Sequence, residues 1–310
     1  MLIFPLPGLS FLSWVALVPL IFVILKSPSQ AVLNPGEDFV RGVTTGQAFW
    51  LGYLTGFIWY LGSCYWVYHV MNGYGGLSAP VAAGVLVLFC LYLGLYHGLF
   101  AALLARSSRS SLLANGRVLW LVPFFWVAVE LARSRITGFP WDLLGTAQVD
   151  NIPLTRLATF TGVYGISFVI ALVNAAFAGA LLTTNKRIRA AIALAAAVVL
   201  QAGALYQPQP DAVTHTARLV QQNLPIGNVG WTADYFDRTI AELTELSRQP
   251  KRGPTGKNWA AAPRLIIWPE SPAPFFVNDP KFNTWMGTLA GDQDAFVLAG
   301  SLGLKNPIQG

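Results

Sequence analysis

The sequence is poor in charged residues and in side chains that bind metals. Asp, Glu, Lys and Arg make up 11% of its 310 residues, and it holds two cysteines and three histidines. No group of these residues has the spacing of a metal site, and no Gly-rich phosphate loop or Gly-x-Ser-x-Gly elbow occurs. The sequence therefore gives no support to metal or nucleotide chemistry, and we expect no cofactor.

Apolar residues dominate instead, at 54% of the chain with a mean hydropathy of +0.51. Charges are sparse up to Tyr206 and frequent after Pro208. This change predicts a membrane-embedded helical bundle over residues 1–206 and a water-soluble domain over 207–310. Within the apolar part we expect about six helices, over 10–25, 42–68, 77–105, 118–132, 157–182 and 190–206. Cys64 and Cys90 fall inside these stretches, and we interpret both as small apolar packing residues.

The distribution of Lys and Arg predicts an orientation for these helices. We number the loops between the predicted helices along the chain. The second loop has no Lys or Arg, and the basic residues of the fourth loop are offset by Asp142 and Asp150. The odd loops are basic through Lys26 and Arg41, then Arg106, Arg109 and Arg117, then Lys186, Arg187 and Arg189. Because basic loops stay in the cytoplasm, the part after Pro208 is expected on the far side, the periplasm of a bacterium. This anchoring explains the net charge of +6, and no nucleic acid needs to be invoked.

Few ionisable residues lie inside the predicted helices, and each is a candidate for function. His97 lies in the third stretch, and Glu130, Arg133 and Arg135 lie at the end of the fourth. Glu130 and Arg133 are three residues apart on one helical face, so they are expected either to pair with each other or to grip a lipid headgroup.

Two glycine motifs bear on how the helices pack. Gly52-x-x-x-Gly56 and Gly94-x-x-x-Gly98 lie in neighbouring predicted helices. Glycines at this spacing allow two helix backbones to approach closely. In a chain with 29 glycines, the pattern also arises by chance.

The polar part alternates between strand and helix patterns. Strands are predicted over 213–222, 264–268 and 295–300, with helices over 231–248 and 280–289 between them. This order predicts an α/β layer with a parallel sheet, in which the carboxyl ends of the strands form the functional edge. Glu270 follows the second strand within the stretch "WPES", so it is either a general base at that edge or an ordinary solvated loop residue.

Several longer stretches carry a family resemblance. They are "FPLPGLSFLSWVALVPL", "GFIWYLGSCYWVYHVMNGYGG", "ELARSRITGFPWDLLGTAQVDN", "GVYGISFVIALVNA", "VQQNLPIGNVGW" and "IIWPESPAPFF". In this order they resemble the bacterial apolipoprotein N-acyltransferases along nearly the whole chain.

The resemblance implies a multi-pass inner-membrane protein with a periplasmic nitrilase-like domain that acts as a monomer. Such enzymes use a Glu-Lys-Cys triad. The cysteine takes an acyl chain from a phospholipid donor as a thioester and passes it to the amine of a diacylglyceryl-modified apolipoprotein. Glu270 matches the base of the triad. Trp231 matches a tryptophan important in the family, although Gly230 stands where a lysine is common; Trp231 is expected either to contact substrate or simply to pack at the start of the helix.

The sequence also departs from the family pattern. No cysteine follows Glu270, and Lys281 and Lys305 lie too near it to match the family's lysine. Set against the family pattern, we expect the second half of the nitrilase-like domain and the final membrane helix to be missing, and the chain to open inside the first family helix. We therefore expect either an incomplete part of an N-acyltransferase or a non-catalytic membrane protein that binds lipid.

Overall fold

The computed structural model describes residues 8–26, 43–109, 117–182, 215–223, 233–248, 264–270 and 275–303, with isolated helical positions at 187, 191, 192 and 195. The chain divides into two compact units, Met1–Pro208 and Gln209–Gly310, which we call unit 1 and unit 2. Every described element of unit 1 is helical, whereas unit 2 combines helices with strands. The helix predicted over 190–206 lies almost wholly outside the described residues.

Seven helices are described in unit 1: α1 (Val18–Lys26), α2 (Thr45–Ser63), α3 (Trp66–His69), α4 (Ala79–Ser108), α5 (Val122–Ala132), α6 (Ile152–Thr155) and α7 (Ala158–Leu182). A turn of 3₁₀ helix at Ser10–Trp14 precedes α1. Between the later helices lie 3₁₀ turns at Arg117–Leu121 and Leu144–Gln148 and π-helical turns at Val70–Tyr74 and Arg133–Thr137. Among the described residues, α4 and α7 are long and apolar enough to cross a membrane, by length and composition alone.

Some helix ends differ from the predicted ones because of local capping, turns and backbone breaks. A capping box starts α2, because Thr44 and Gln47 each accept a hydrogen bond from the other's backbone N–H, at 3.1 and 2.8 Å. The predicted helix over 42–68 ends early, at Ser63, and a short turn separates it from α3. In α7, Gly162 adopts φ 64° and ψ −172°, which interrupts the helix near its start. Apolar composition alone does not reveal these local breaks.

The contact between α2 and α4 passes through both glycine motifs. A Cβ on Gly52 would lie 2.5 Å from the carbonyl oxygen of His97, and one on Gly94 would lie 3.1 Å from that of Tyr53. Gly56 and Gly98 face the partner helix in the same way, against the side chains of His97 and Phe49. These distances leave no room for a side chain at Gly52, so the close approach predicted from the motifs is confirmed.

Unit 2 contains the predicted order of strands and helices: β1 (Ala217–Leu219), α8 (Ala233–Arg248), β2 (Leu265–Ile267), α9 (Pro280–Gln293) and β3 (Phe296–Leu298). The strands form one parallel sheet in the order β1-β2-β3, with Leu219 opposite Ile267 and Ile267 opposite Leu298. One side packs into a core of Val220, Ile240, Leu243, Ile266, Trp268, Phe275, Phe282 and Leu289. The opposite side leaves Leu219 77% and Phe296 82% exposed.

Candidate functional site

Glu270 lies three residues after the end of β2, at the carboxyl edge of the sheet, and its side chain is exposed. The chain just before it is firmly held by Trp268. The indole Nε1 of this buried residue donates a hydrogen bond to the Ser247 hydroxyl at 2.9 Å, and its backbone N–H donates to the Leu298 carbonyl at 2.9 Å. The residue two positions before Glu270 is therefore tied both to α8 and to β3.

The chain beyond Glu270 is anchored again at Phe275. This ring is completely buried, stacks on Phe282 at a centroid distance of 4.8 Å and meets Phe236 edge-on at 4.9 Å. Its carbonyl also accepts a hydrogen bond of 2.7 Å from the backbone N–H of Leu302. Residues 271–274, between Glu270 and Phe275, lie outside the described residues. An exposed carboxylate two residues beyond the anchored Trp268 is suited to accept a proton from a bound reactant.

The structure brings no second member of the expected triad to Glu270 within the described part of unit 2. Lys281 pairs with Asp237 at 2.5 Å, which joins α9 to α8, and Lys305 lies outside the described residues. Trp231 lies outside them as well. The two cysteines of the sequence, Cys64 and Cys90, both belong to unit 1.

A second polar arrangement, in unit 1, holds the segment Gly138–Gly145, which we call the return segment. Gly138 adopts φ 68°, and the chain leaves the helical path there. Arg133, only 1% exposed, donates from Nη1 to the carbonyl oxygens of Phe139 at 3.1 Å and Trp141 at 2.5 Å. Its guanidinium carbon also lies 5.5 Å from the centre of the Tyr60 ring. The buried cation therefore binds the backbone of the return segment.

Glu130 holds the far end of the same segment. Its Oε1 accepts a hydrogen bond of 2.6 Å from the backbone N–H of Leu144, and the N–H of Gly145 donates to the Ser167 hydroxyl at 2.8 Å. Glu130 and Arg133 form no ion pair with each other, because each binds backbone groups of the return segment instead, so the predicted pairing is wrong. The two side chains share a helical face, but the return segment folds across that face and supplies backbone partners to both. With Glu130 3% and Arg133 1% exposed, neither charge lies at a surface for a lipid headgroup.

The middle of the return segment is fixed to α2 through Asp142, whose φ is 55°. Its carboxylate accepts hydrogen bonds from the Ser63 hydroxyl at 2.6 Å and from the Cys64 thiol at 3.4 Å. Cys64 is therefore a hydrogen-bond donor as well as a packing residue, and it shares one buried apolar cluster with Cys90. In the sequence Asp142 is only a loop charge, because its partners lie 79 and 78 residues earlier in the chain.

His97 and Arg135 have different surroundings from each other. His97 is 4% exposed, and the rings of Trp59, Tyr60 and Trp126 surround it at centroid distances of 5.7, 5.3 and 5.2 Å. It packs the contact between α2, α4 and α5. Arg135 is exposed, in contrast to Arg133 two residues before it.

Comparison with known proteins gives one consistent result. Residues 1–176 match a family model described as the apolipoprotein N-acyltransferase N-terminal domain. A protein named apolipoprotein N-acyltransferase from Geobacter metallireducens is 33% identical over 96% of this chain and 54% of its own length. Proteins of the same name from Shewanella oneidensis and Vibrio vulnificus are each 31% identical, over 78% and 84% of this chain and 43% and 49% of their own lengths.

The chain thus spans about half the length of the curated relatives it matches. The family model covers more than half of the 310 residues, and the Geobacter alignment continues through nearly all the rest, including β2 and Glu270. On this evidence the chain belongs to the apolipoprotein N-acyltransferase family.

Proposed function

We propose that this chain contributes to an N-acyltransferase of bacterial lipoprotein maturation. The enzyme would transfer an acyl chain from a phospholipid to the N-terminal amine of a diacylglyceryl-modified apolipoprotein. The observation that carries the proposal is the position of Glu270, an exposed carboxylate held at the carboxyl edge of a parallel sheet in a member of this family. The names of the relatives support the same activity.

In the proposed reaction, Glu270 accepts the proton of a cysteine thiol, and the thiolate attacks the ester carbonyl of the phospholipid. The lysophospholipid leaves with that proton, and the acyl chain stays behind as a thioester. The lipoprotein amine then attacks the thioester and forms the amide, and Glu270 accepts the amine proton and passes it to the leaving thiolate, which regenerates the thiol. No cysteine follows Glu270 in the 310 residues, so the reaction belongs to the protein to which this chain contributes.

The proposal places unit 1 in the inner membrane and unit 2 in the periplasm, as part of a nitrilase-like domain. Support comes from the basic odd loops and from the length and composition of α4 and α7. Because both substrates are anchored in one leaflet, an active site beside that leaflet meets them by diffusion in two dimensions. We expect the enzyme to act as a monomer, with Trp231 contacting substrate.

The test begins by reading the gene beyond the codon for Gly310 and expressing its complete product. Purified protein is incubated with a phospholipid that carries a labelled acyl chain, and the hydroxylamine-sensitive protein adduct is measured. Glu270→Gln should slow adduct formation by about 10²–10⁴-fold, because the thiol loses its base. Glu242→Gln, which changes an exposed carboxylate on α8, serves as the control and should leave the rate unchanged.

The 310-residue chain by itself should form no cysteine-linked acyl adduct. An adduct on Cys64 or Cys90 would contradict the proposed role of a cysteine beyond Glu270. Full adduct formation by Glu270→Gln would exclude this residue as the base. If the complete product contains no further cysteine and binds phospholipid without forming an adduct, the protein is the non-catalytic lipid-binding alternative.

A further inference from the structure

Gly300 follows β3 at the same edge of the sheet where Glu270 follows β2. The strands are in parallel register, with Ile267 opposite Leu298, and the backbone N–H of Trp268 continues the ladder to the Leu298 carbonyl at 2.9 Å. Beyond this hydrogen bond the segments that follow β2 and β3 stay together, because the backbone of Gly300 lies directly against that of Glu270.

The approach is closer than any side chain permits. A Cβ built on Gly300 would overlap the carbonyl oxygen of Glu270 and would lie 2.5 Å from its carbonyl carbon and 3.2 Å from its Cα. Real Cβ atoms essentially never come within 3.0 Å of another heavy atom in this way. Gly300 is not among the described residues with positive φ, so its backbone conformation is open to other amino acids. Glycine is therefore required there by the contact with Glu270, not by a turn.

The atoms that a side chain at this position would meet are backbone atoms, which cannot rotate away as the end of a flexible side chain can. Trp268 is held by Ser247 and Leu298, and Phe275 by the aromatic core and Leu302. The clash therefore falls on the backbone of Glu270, two residues beyond the anchored Trp268.

We propose that Gly300 is a positioning residue that sets the place of the Glu270 carboxylate, an inference that rests on the proposed role of Glu270 as the base. Because Gly300 has no side chain, the backbone of Glu270 can pack directly against it at the carboxyl edge of the sheet. A side chain as small as that of alanine would displace the base by a substantial fraction of an ångström or more. Displacements of about 1 Å in a catalytic constellation can cost on the order of 10²-fold in rate.

The test compares Gly300→Ala with Gly303→Ala in the complete product of the gene. Gly303 lies three residues further along the same segment, and a Cβ built there meets nothing within 4 Å. Gly300→Ala should lower kcat for acyl transfer by roughly 10²-fold, with little change in the KM for phospholipid, because substrate binding does not use the carboxylate. Gly303→Ala should retain the kcat of the unchanged protein.

A double variant separates positioning from a general structural effect. If Gly300 acts through Glu270, adding Gly300→Ala to Glu270→Gln should lower the residual rate no further, since the displaced base is already absent. An equal fall in both backgrounds would overturn the inference. So would loss of the melting transition of unit 2 in Gly300→Ala, because the glycine would then serve folding. If Gly300→Ala is fully active and Glu270→Gln is inactive, the inference is rejected but the proposed function stands. If Glu270→Gln is fully active, the proposed function itself is rejected.

Discussion

Replacing Arg133 by methionine should destabilise unit 1 by removing the cation that binds the return segment. The substitution keeps an unbranched apolar side chain of similar length but deletes the hydrogen bonds to the carbonyl oxygens of Phe139 and Trp141, at 3.1 and 2.5 Å. Arg133 is only 1% exposed, so water cannot replace the lost donor. The contact with the Tyr60 ring, at 5.5 Å from its centre, is lost as well.

The size of the effect follows from these contacts. A hydrogen bond from a charged donor contributes about 1.5–3 kcal/mol, so two of them contribute about 3–6 kcal/mol before the burial of the charge is considered. Part of the free energy lost with these hydrogen bonds is offset, because the substitution also removes a buried cation whose desolvation is costly. The net loss in the free energy of unfolding should be about 2–4 kcal/mol. The lower end is expected if the unfolded chain finds other partners for arginine inside a micelle.

Arg135→Met provides the matched control, because Arg135 is exposed in the same π-helical turn. It should change the free energy of unfolding by no more than about 0.5 kcal/mol. Both variants of the 310-residue chain can be unfolded in mixed micelles by increasing amounts of SDS, with tryptophan fluorescence as the signal and proteolysis near Trp141 as a local readout. Equal midpoints for the two variants, with equal proteolysis, would refute the role assigned to Arg133.

Two further substitutions probe unit 1. Gly52→Leu should separate α2 from α4 and destabilise the unit by about 1–3 kcal/mol or more. The control is Gly84→Leu, at a glycine of α4 where an added Cβ meets nothing within 4 Å, and it should not destabilise the unit. Equal midpoints for the two variants in the same SDS titration would contradict the close approach of the helices. Asn174→Ala removes a buried amide that accepts a hydrogen bond from the Leu17 N–H at 2.8 Å and donates one to the Ser13 carbonyl at 2.8 Å. The free energy of unfolding should fall by about 1–3 kcal/mol, and amide hydrogen exchange at Leu17 should become faster. Unchanged exchange at Leu17 would contradict the role assigned to Asn174.

The helical part of the fold was largely predictable because its signals are local. Apolar length identifies α4 and α7, and the spacing of Gly52 and Gly56 identifies the face that packs on α4. Exact helix ends were less predictable, since they depend on local backbone geometry such as the break at Gly162. The parallel sheet also followed from the order of patterns, although β1 is three residues long where ten were predicted, because pairing with β2 limits it.

The contacts around Glu130 and Arg133 could not be read from spacing. A separation of three residues places both side chains on one helical face, but their partners are backbone groups up to fourteen residues away along the chain. Finding those partners requires knowing that the chain reverses at Gly138 and returns over α5. The contact between Gly300 and Glu270 was missed for a related reason, because a glycine in a sequence does not say which backbone it approaches.

The packing of α2 on α4 has a consequence for how the protein is made. The two helices are separated by only fifteen residues of chain and run antiparallel, since Gly52 lies near Ala101 while Gly94 lies near Tyr53. By length and hydropathy α4 qualifies as a membrane span among the described helices, and α2 does not. With unit 1 in the membrane, as proposed, we expect the newly synthesised α2 to integrate stably only when α4 has left the ribosome and can pair with it, so the translocon would receive the two helices as one hairpin.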